Sequence, residues 1–300
     1  LVHIIERNAP AEIHGDRHLT NAEEASAYLS GLAETAFPTE VQVEQHVHTV
    51  EVEDVSRGIV DHITELHPDL IVMCTHGQGG LRDLFFGNIP QQVVGRGTIP
   101  VLLIQPGDEV QPFALQRLLV PLDGSPTSFL ALDHAAELAR LSGATVILLH
   151  IVEPTRHSTG FERPEVYIKD VRPRFLKAGQ TLLDEAASRL RREGIATETV
   201  LLESGTERVS EQIAHQTEIN DCDLVILGTH GRRGMNRLLL GSDAEQVARI
   251  APVPVMLVRQ SSRDGGPPSS AARAPVKASD NIGTSGWRST GASKAKKSHE

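Results

Sequence analysis

An internal repeat is the feature that most constrains how this chain can fold. Three pairs of apolar segments match, the first two pairs 154 residues apart and the third 147 apart: 69–77 with 223–231, 99–105 with 253–259, and 1–6 with 148–153. Self-similarity at a fixed spacing indicates repeated structural units. The chain therefore contains two copies of one unit, and the seven-residue difference is an insertion in the second copy.

The second copy alternates apolar runs with amphipathic segments. The run "RLLVPL" ends at Asp123-Gly124, and Ser125 with Pro126 then supplies an N-cap and a first-turn proline. Apolar runs are expected to form strands at 117–122, 145–152, 197–204, 223–228 and 253–258, and helices are expected near 126–142, 165–193, 206–219 and 242–250. Continuous apolar strands separated by helices are typical of a parallel sheet covered on both faces. The predicted fold class is a doubly wound α/β fold.

The first copy is expected to be incomplete. The counterpart of "RLLVPLDGS" (117–125), projected back by 147 residues, falls before Leu1. The first copy should therefore lack its opening strand and helix. The predicted organisation is an incomplete domain over 1–110, an intact domain over 115–260 and a tail over 261–300. The tail is basic and poor in large apolar residues, so it is predicted to be disordered.

Charge and hydropathy exclude two classes of partner. The net charge is −10, and because residues 261–300 carry seven basic and three acidic side chains, residues 1–260 carry −14. An acidic body argues against nucleic acid as a partner. No apolar run approaches the ~20 residues of a membrane-spanning helix, so no membrane span is expected.

Cysteine and histidine usage predicts no metal centre. The two cysteines, Cys74 and Cys222, form no C-x-x-C pair, and they are interpreted as buried thiols in a reducing cytosol. The fourteen histidines show no H-E-x-x-H motif and no histidine–cysteine cluster in the sequence. No metal-binding residues are therefore predicted.

Two loops at the carboxyl ends of predicted strands carry the candidate site. One is "PLDGS", with Asp123, and the other is "GTHGRRGMNRLLLGS", which runs from Gly228 to Ser242 and contains Gly231 and Gly241. In open α/β sheets, ligands bind at the carboxyl ends of strands where the strand order reverses. Asp123 could accept hydrogen bonds from a ribose or an adenine, and the helix starting at Ser242 could hold phosphate.

Alternative interpretations of these residues stay open. Each glycine could serve only a turn, and Ser242 with Glu245 could form only a capping box. The spacing matches neither G-x-G-x-x-G nor G-x-x-x-x-G-K-[ST], which disfavours a dinucleotide fold and a P-loop. No Ser/His/Asp arrangement is evident, so no catalytic residue is predicted.

Taken together, the spacing G-x2-G-x9-G-[ST], "VPLDGS", "LLHIVEP" and "PVPVMLVR" resemble the universal stress protein family in tandem form, over about residues 1–260. The resemblance implies two doubly wound domains of an adenine-nucleotide-binding type, with five parallel strands in the order 3-2-1-4-5, the first of which lacks its opening strand and helix in this chain. It also implies residue roles. Asp123 would contact the nucleoside and Ile151 the adenine, Pro121 and Leu122 would line the wall, and ribose and phosphates would be held by Gly228, Gly231, Gly241 and Ser242. Arg232, Arg233 and Arg237 would reach phosphate oxygens or belong to a solvated loop.

The first copy carries an altered version of the motif. Cys74 replaces the first glycine and Asn88 the final serine, although Asn88 and Gln91 could still cap a helix. His76 and His230 are interpreted as turn-stabilising residues. One ATP per chain is therefore expected, with or without Mg²⁺, in the second domain.

The leading hypothesis is an ATP-binding, cytoplasmic stress-response regulator. The alternatives are a structural or dimerisation module that binds no nucleotide, and a weak ATPase. The resemblance also implies that domains pair through their last strands, "VLLI" and "VMLV", within the chain or in a homodimer.

Overall fold

A computed structural model describes residues 1–9, 12–13, 16–75, 88–105, 114–153, 172–230 and 240–260. Several residues singled out above lie outside these ranges: His76, Gly231, Arg232, Arg233, Arg237 and the tail 261–300. Residues 1–262 form one compact unit.

The unit contains eleven strands and seven helices among its described residues. The strands are β1 (Val2–Glu6), β2 (Glu12–Ile13), β3 (Asp16–Arg17), β4 (His46–Val52), β5 (Ile71–Cys74), β6 (Val101–Ile104), β7 (Arg117–Pro121), β8 (Thr145–Val152), β9 (Thr197–Glu203), β10 (Leu224–Gly228) and β11 (Val255–Val258). The helices are α1 (Ala22–Ala36), α2 (Val55–Leu66), α3 (Asn88–Arg96), α4 (Pro126–Ser142), α5 (Arg172–Arg192), α6 (Val209–Ile219) and α7 (Ser242–Ile250).

Local sequence signals set the ends of α4. Ser125 is its N-cap, the Ser125 side chain accepts a hydrogen bond from the N–H of Ser128, and Pro126 occupies the first turn. Gly143 ends the helix in the left-handed region at φ +76°, a conformation that costs glycine little. The helix buries Ala131, Ala135 and Ala139 at a spacing of four residues, so one small-residue face packs closely on the sheet.

The second copy supplies five neighbouring strands of a seven-stranded sheet with the order β5-β6-β11-β10-β7-β8-β9. All of its pairings are parallel except β6 with β11. The predicted α/β class with a predominantly parallel sheet is confirmed. Counted within the second copy, the strands lie in the order 3-2-1-4-5, which places β7 and β10 side by side.

The first copy does not form the single sheet predicted for it. Its β1 and β4 pair with each other in a separate two-stranded parallel sheet, while β5 and β6 join the large sheet. In the order 3-2-1-4-5, strand one lies between strand two and strand four. In the first copy, strand two is β1 and strand four is β5. No described strand of the chain lies between β1 and β5, so the two strand pairs separate.

The pairing of β6 with β11 is symmetric, because equivalent strands of the two copies pair around equivalent residues. Leu102 pairs with Met256, its counterpart 154 residues later, and the flanking pairs are Val101 with Leu257 and Leu103 with Val255. Side-chain contacts follow the same symmetry. Gln105 Nε2 donates to the Ala248 carbonyl (3.2 Å), and Arg259 Nη1 donates to the Val94 carbonyl (3.3 Å). The seam is therefore a pseudo-two-fold interface.

Apolar residues on both faces of the sheet form two buried clusters. One lies beneath α4 and α5 and includes Leu118, Val120 and Leu148. The other includes Leu119, Ile147 and Val225 and also takes in Val101 and Leu103 of the first copy. Among the described helices, none is both long enough and apolar enough to cross a membrane.

One of the two cysteines has its predicted buried environment and the other does not. Cys222 is buried, and burial raises the pKa of its thiol to about 11. Cys74 is exposed, because it is the last residue of the edge strand β5. The prediction of a buried thiol is wrong for Cys74.

Candidate functional site

A cavity of about 860 Å³ opens at the carboxyl ends of β7, β8 and β10. Adjacent pairing of β7 and β10, with Leu118 opposite Leu224, brings the loops after these strands together. Six of the predicted site residues line the cavity: Pro121, Asp123, Ile151, Gly228, Gly241 and Ser242. Gly231 lies outside the residues that the structure describes.

Leu122 does not take its predicted place on the cavity wall. Its side chain is 2% exposed and packs in the core cluster beneath α4. Successive residues of an extended chain point to opposite sides, so Pro121 and Leu122 cannot both face the cavity. The backbone of Leu122 is close to the site nonetheless, because its carbonyl oxygen lies 2.6 Å from Nδ1 of His150.

Asp123 is held in a fixed orientation by the start of α4. Its Oδ1 accepts hydrogen bonds from the N–H of Ser125 (2.9 Å) and from the Ser125 hydroxyl (2.6 Å). Gly124 makes this tight turn at φ +81°. The carboxylate therefore faces the cavity from a turn that is itself anchored to a helix N-terminus.

The contacts of Gly228 differ from those predicted. A Cβ at this position would lie 2.8 Å from Cβ of Thr127 and 2.9 Å from its Oγ1. The Thr127 hydroxyl donates in turn to the carbonyl of His230. The space left by the missing side chain is filled by the first turn of α4, so Gly228 allows α4 to approach the strand.

Position 241 also requires a glycine, because other atoms of the protein occupy the space that a side chain would need. Its N–H donates to the carbonyl of Thr229 (2.9 Å), and a Cβ on Gly241 would lie 2.9 Å from that same oxygen. Thr229 is buried and its N–H donates to Val258. The chain therefore leaves β10 at Thr229 and returns to the same point at Gly241.

Ser242 does not cap α7. The N-cap is Gly241, no side chain caps the helix, and Ser242 is the first helical residue. The predicted capping box is wrong, since Glu245 instead accepts a 3.5 Å hydrogen bond from Gln91. In the first copy Asn88 is likewise the first helical residue of α3, and Gln91 is the donor of this same hydrogen bond. The N–H groups of a first helical turn have no acceptors within the helix, and here Ser242, Asp243 and Ala244 line the cavity.

His150 is a cavity residue that sequence reasoning missed. It is 7% exposed, its Nδ1 is hydrogen-bonded to the Leu122 carbonyl, and α5 packs against its ring. A Cβ on Gly179 of α5 would lie 2.5 Å from Cδ2 of His150. A single polar residue inside the apolar run "TVILLHIV" was the available signal.

The cavity combines an apolar wall with acidic groups. Apolar side chains come from β8, α5, α6 and β10: Ile151, Phe175, Leu182, Val209, Ile213 and Leu227. Three carboxylates also line it, from Asp123, Glu153 and Asp243, and no lysine or arginine does so among the residues whose placement is given. The arrangement can hold a flat apolar group beside a polar, anion-binding helix end.

The structure also groups histidines that the sequence separates. His46, His48 and His62 each offer a ligand atom within 4.8 Å of the others. The sequence motifs considered above did not indicate this grouping, because it joins a strand to a helix.

A doubly wound α/β protein with a cavity at the topological switch point is the class that this fold and site define. The model of the Universal stress protein family matches residues 1–105 and 114–259. The chain belongs to the universal stress protein family.

Relatives cover one or both copies. Universal stress protein YxiE of Bacillus subtilis is 31% identical over 148 residues, which is 48% of this chain and 98% of the relative. A universal stress protein of Mycolicibacterium smegmatis is 27% identical over 216 residues, 69% of this chain and 66% of the relative. A universal stress protein structure from Archaeoglobus fulgidus matches with a TM-score of 0.58 and 18% identity, covering 81% of this chain and 78% of that one.

Proposed function

We propose that this chain is an ATP-binding universal stress protein and a cytoplasmic stress-response regulator, with one adenine nucleotide bound by the second copy. The observation that carries this proposal is the convergence of Asp123 and the uncapped N-terminus of α7 on one cavity of about 860 Å³. A helix N-terminus favours anions through its N–H groups and its dipole.

The lining suggests how a nucleotide is oriented. The apolar wall of Ile151, Phe175 and Ile213 suits the base, and the fixed carboxylate of Asp123 suits hydroxyl groups of the ribose. The phosphates then lie toward Gly241 and Ser242. The Ser242 hydroxyl is exposed and has no hydrogen-bond partner among the described residues, so it can donate to a phosphate oxygen.

Charge balance calls for cations beside the phosphates. Asp123, Glu153 and Asp243 make the described lining acidic, which opposes a polyphosphate. Mg²⁺ bound with ATP supplies positive charge, since it is held in proteins by one or two carboxylates together with substrate phosphates. Arg232, Arg233 and Arg237 follow His230 in the sequence and are proposed to supply the rest.

The proposed organisation is two domains, 1–110 and 115–260, paired through β6 and β11. The symmetric register about Leu102 and Met256 supports this pairing, and the same last strands could join two chains in a homodimer. No catalytic residue is proposed, and at most slow ATP hydrolysis is expected.

A structural module without nucleotide is the second candidate. It is favoured by the finding that Gly228 and Gly241 are both explained by internal contacts, with Thr127 and with the Thr229 carbonyl. Their presence therefore does not by itself require a ligand.

Isothermal titration of the full chain with Mg·ATP separates the two candidates. We expect one site per chain, and about 10- to 150-fold weaker binding for Ser242→Ala, because a hydrogen bond to a charged group contributes about 1.5–3 kcal/mol. Since Ser242 caps nothing, the free energy of unfolding without ATP should change by less than about 0.5 kcal/mol. Ser188→Ala, on the exposed face of α5, is the matched control and should bind like the parent. Absence of any binding would leave the structural module, and two equivalent sites would contradict the one-site assignment.

A further inference from the structure

Three histidines from different parts of the first copy meet at one point. His46 and His48 lie on β4 and His62 lies on α2. One ligand atom from each ring lies within 4.8 Å of the other two. The ring centroid of His62 is 4.5 Å from that of His46 and 5.0 Å from that of His48, with the rings steeply inclined.

The fold brings these side chains together. His46 and His48 are two residues apart on a strand, so they share one face of the β1–β4 sheet. In the register they lie opposite Val2 and Ile4. Helix α2 packs on that face, since a Cβ on Gly58 would lie 3.2 Å from the Ile4 side chain. His62 follows Gly58 by four residues and so faces the same sheet surface.

His62 has an unmet bonding requirement. It is 8% exposed, and its Nε2 is buried without a hydrogen-bond partner. Its Nδ1 lies 3.1 Å from Oε2 of Glu65. Donation from Nδ1–H to this carboxylate leaves the lone pair on Nε2, and a carboxylate–histidine pair of this kind orients imidazoles toward metals. A buried polar atom without a partner is unfavourable, and a bond from Nε2 to a metal ion would remove this penalty.

The second copy shows that the fold does not need these histidines. Val2 corresponds to Leu149, which pairs with Val200, and Ile4 corresponds to Ile151, which pairs with Leu202. The positions of His46 and His48 are therefore held by Val200 and Leu202 in the second copy. His62 corresponds to Gln216 at the spacing of 154 residues. Where the second copy packs two aliphatic side chains, the first places two imidazoles.

We propose that His46, His48 and His62 bind one divalent transition metal ion, with Glu65 positioning His62. Neutral imidazoles suit Zn²⁺, Cu²⁺ and Ni²⁺ rather than Mg²⁺ or Ca²⁺. Three protein ligands leave the fourth tetrahedral position to water or a small anion. Zn–N bonds of about 2.0–2.1 Å separate ligand nitrogens by about 3.3 Å, so small side-chain rotations bring the rings onto the ion. The metal links β4 to α2 in the part of the chain whose sheet has only two strands.

The test uses the full chain, stripped of metal with a chelator and titrated with Zn²⁺ against a chromophoric competitor. We expect one tight site per chain, a higher melting temperature with Zn²⁺, and visible absorption bands with Co²⁺ that report nitrogen ligation. The triple variant H46V/H48L/H62Q copies the residues of the second copy and is therefore compatible with the fold. It should lose the tight site, the Co²⁺ bands and the Zn²⁺-dependent rise in melting temperature.

Two further variants keep the result interpretable. His215→Gln changes an exposed histidine of α6 and should leave the tight site intact. Glu65→Gln should weaken Zn²⁺ binding about 10–100-fold, the usual effect of losing such a supporting partner. Zn²⁺ affinity unchanged in the triple variant, or no tight site in the parent chain, would overturn the proposal.

Discussion

Gly228 and Gly241 lie where a side chain would collide with atoms of the protein itself. At Gly228 the nearest atoms belong to Thr127, and at Gly241 the nearest atom is the Thr229 carbonyl oxygen. The two glycines therefore let α4 and α7 begin close to the end of β10. Both helix starts face the cavity because of this packing, so the same residues that secure the fold also shape the site.

Gly228→Ala should destabilise the protein even without nucleotide. A new Cβ would lie 2.8 Å from Thr127, and overpacking of this kind costs about 1–3 kcal/mol. Urea unfolding of the nucleotide-free protein measures the effect. Gly205→Ala is the control, since no atom lies within 4 Å of its added Cβ. Unchanged stability of Gly228→Ala together with lost ATP binding would instead assign the glycine to ligand access.

At the scale of single elements, the described helices differ in whether a side chain caps their first turn. Ser125 caps α4, Asp54 caps α2, and α7 has no side-chain cap and opens on the cavity. Asp54 also accepts a 2.6 Å hydrogen bond from Arg96 of α3. The start of α2 is thus a charged junction between two helices of the first copy.

The stability of this junction should depend on pH in the acid range. Hydrogen bonds from Ser56, Arg96 and the Arg57 N–H lower the pKa of Asp54 to about 2. Because this folded-state pKa is below the unfolded value of about 3.9, the stabilisation is present above pH ~4 and is lost as pH falls through about 2. Asp54→Asn keeps a good cap residue but removes the charge.

Urea unfolding between pH 7 and pH 2 tests this expectation. The variant should be less stable than the parent at pH 7, and the difference should shrink toward pH 2. Asp61→Asn is the control, because within the described part of the chain Asp61 makes just a long, exposed ion pair with Arg57 (3.9 Å). A stability difference that stays constant across this pH range would contradict the assigned role of Asp54.

At the scale of the whole molecule, the antiparallel seam of β6 and β11 joins the two copies. Leu103 pairs with Val255 in this seam and is 1% exposed, within the core cluster that spans both copies. The seam continues the sheet of the second copy with two strands of the first. The stability of the first copy's β5 and β6 therefore depends on the second copy.

Leu103→Ala should cost about 2–5 kcal/mol in the free energy of unfolding, the usual range for a buried leucine. Leu141→Ala removes the same atoms from a side chain that is 87% exposed and should cost little. Hydrogen exchange should show faster opening of β5 and β11 in the Leu103 variant. Equal, small effects for both variants would mean that the seam contributes little to stability.

The repeat and the apolar runs by themselves determined the α/β class and the strands and helices of the second copy. The strand order that places Asp123 beside Gly228 was implied by the resemblance to a known family. Such patterns are local, because strand and helix periodicities are written in consecutive residues. The tertiary structure decided which way an individual side chain points, at which residue a helix begins, and which residues distant in sequence come into contact. Leu122 points into the core, and Ser242 begins α7 instead of capping it.

Long-range contacts decided the remainder. The space beside Gly228 is filled by Thr127, a residue about one hundred positions earlier in the chain. His62 joins His46 and His48 only because α2 folds back over β4. The separation of β1 and β4 from β5 likewise follows from which strands are present to pair. A sequence motif specifies the residue types in a loop, whereas packing specifies which atoms meet, because contacts between distant segments carry no local periodicity.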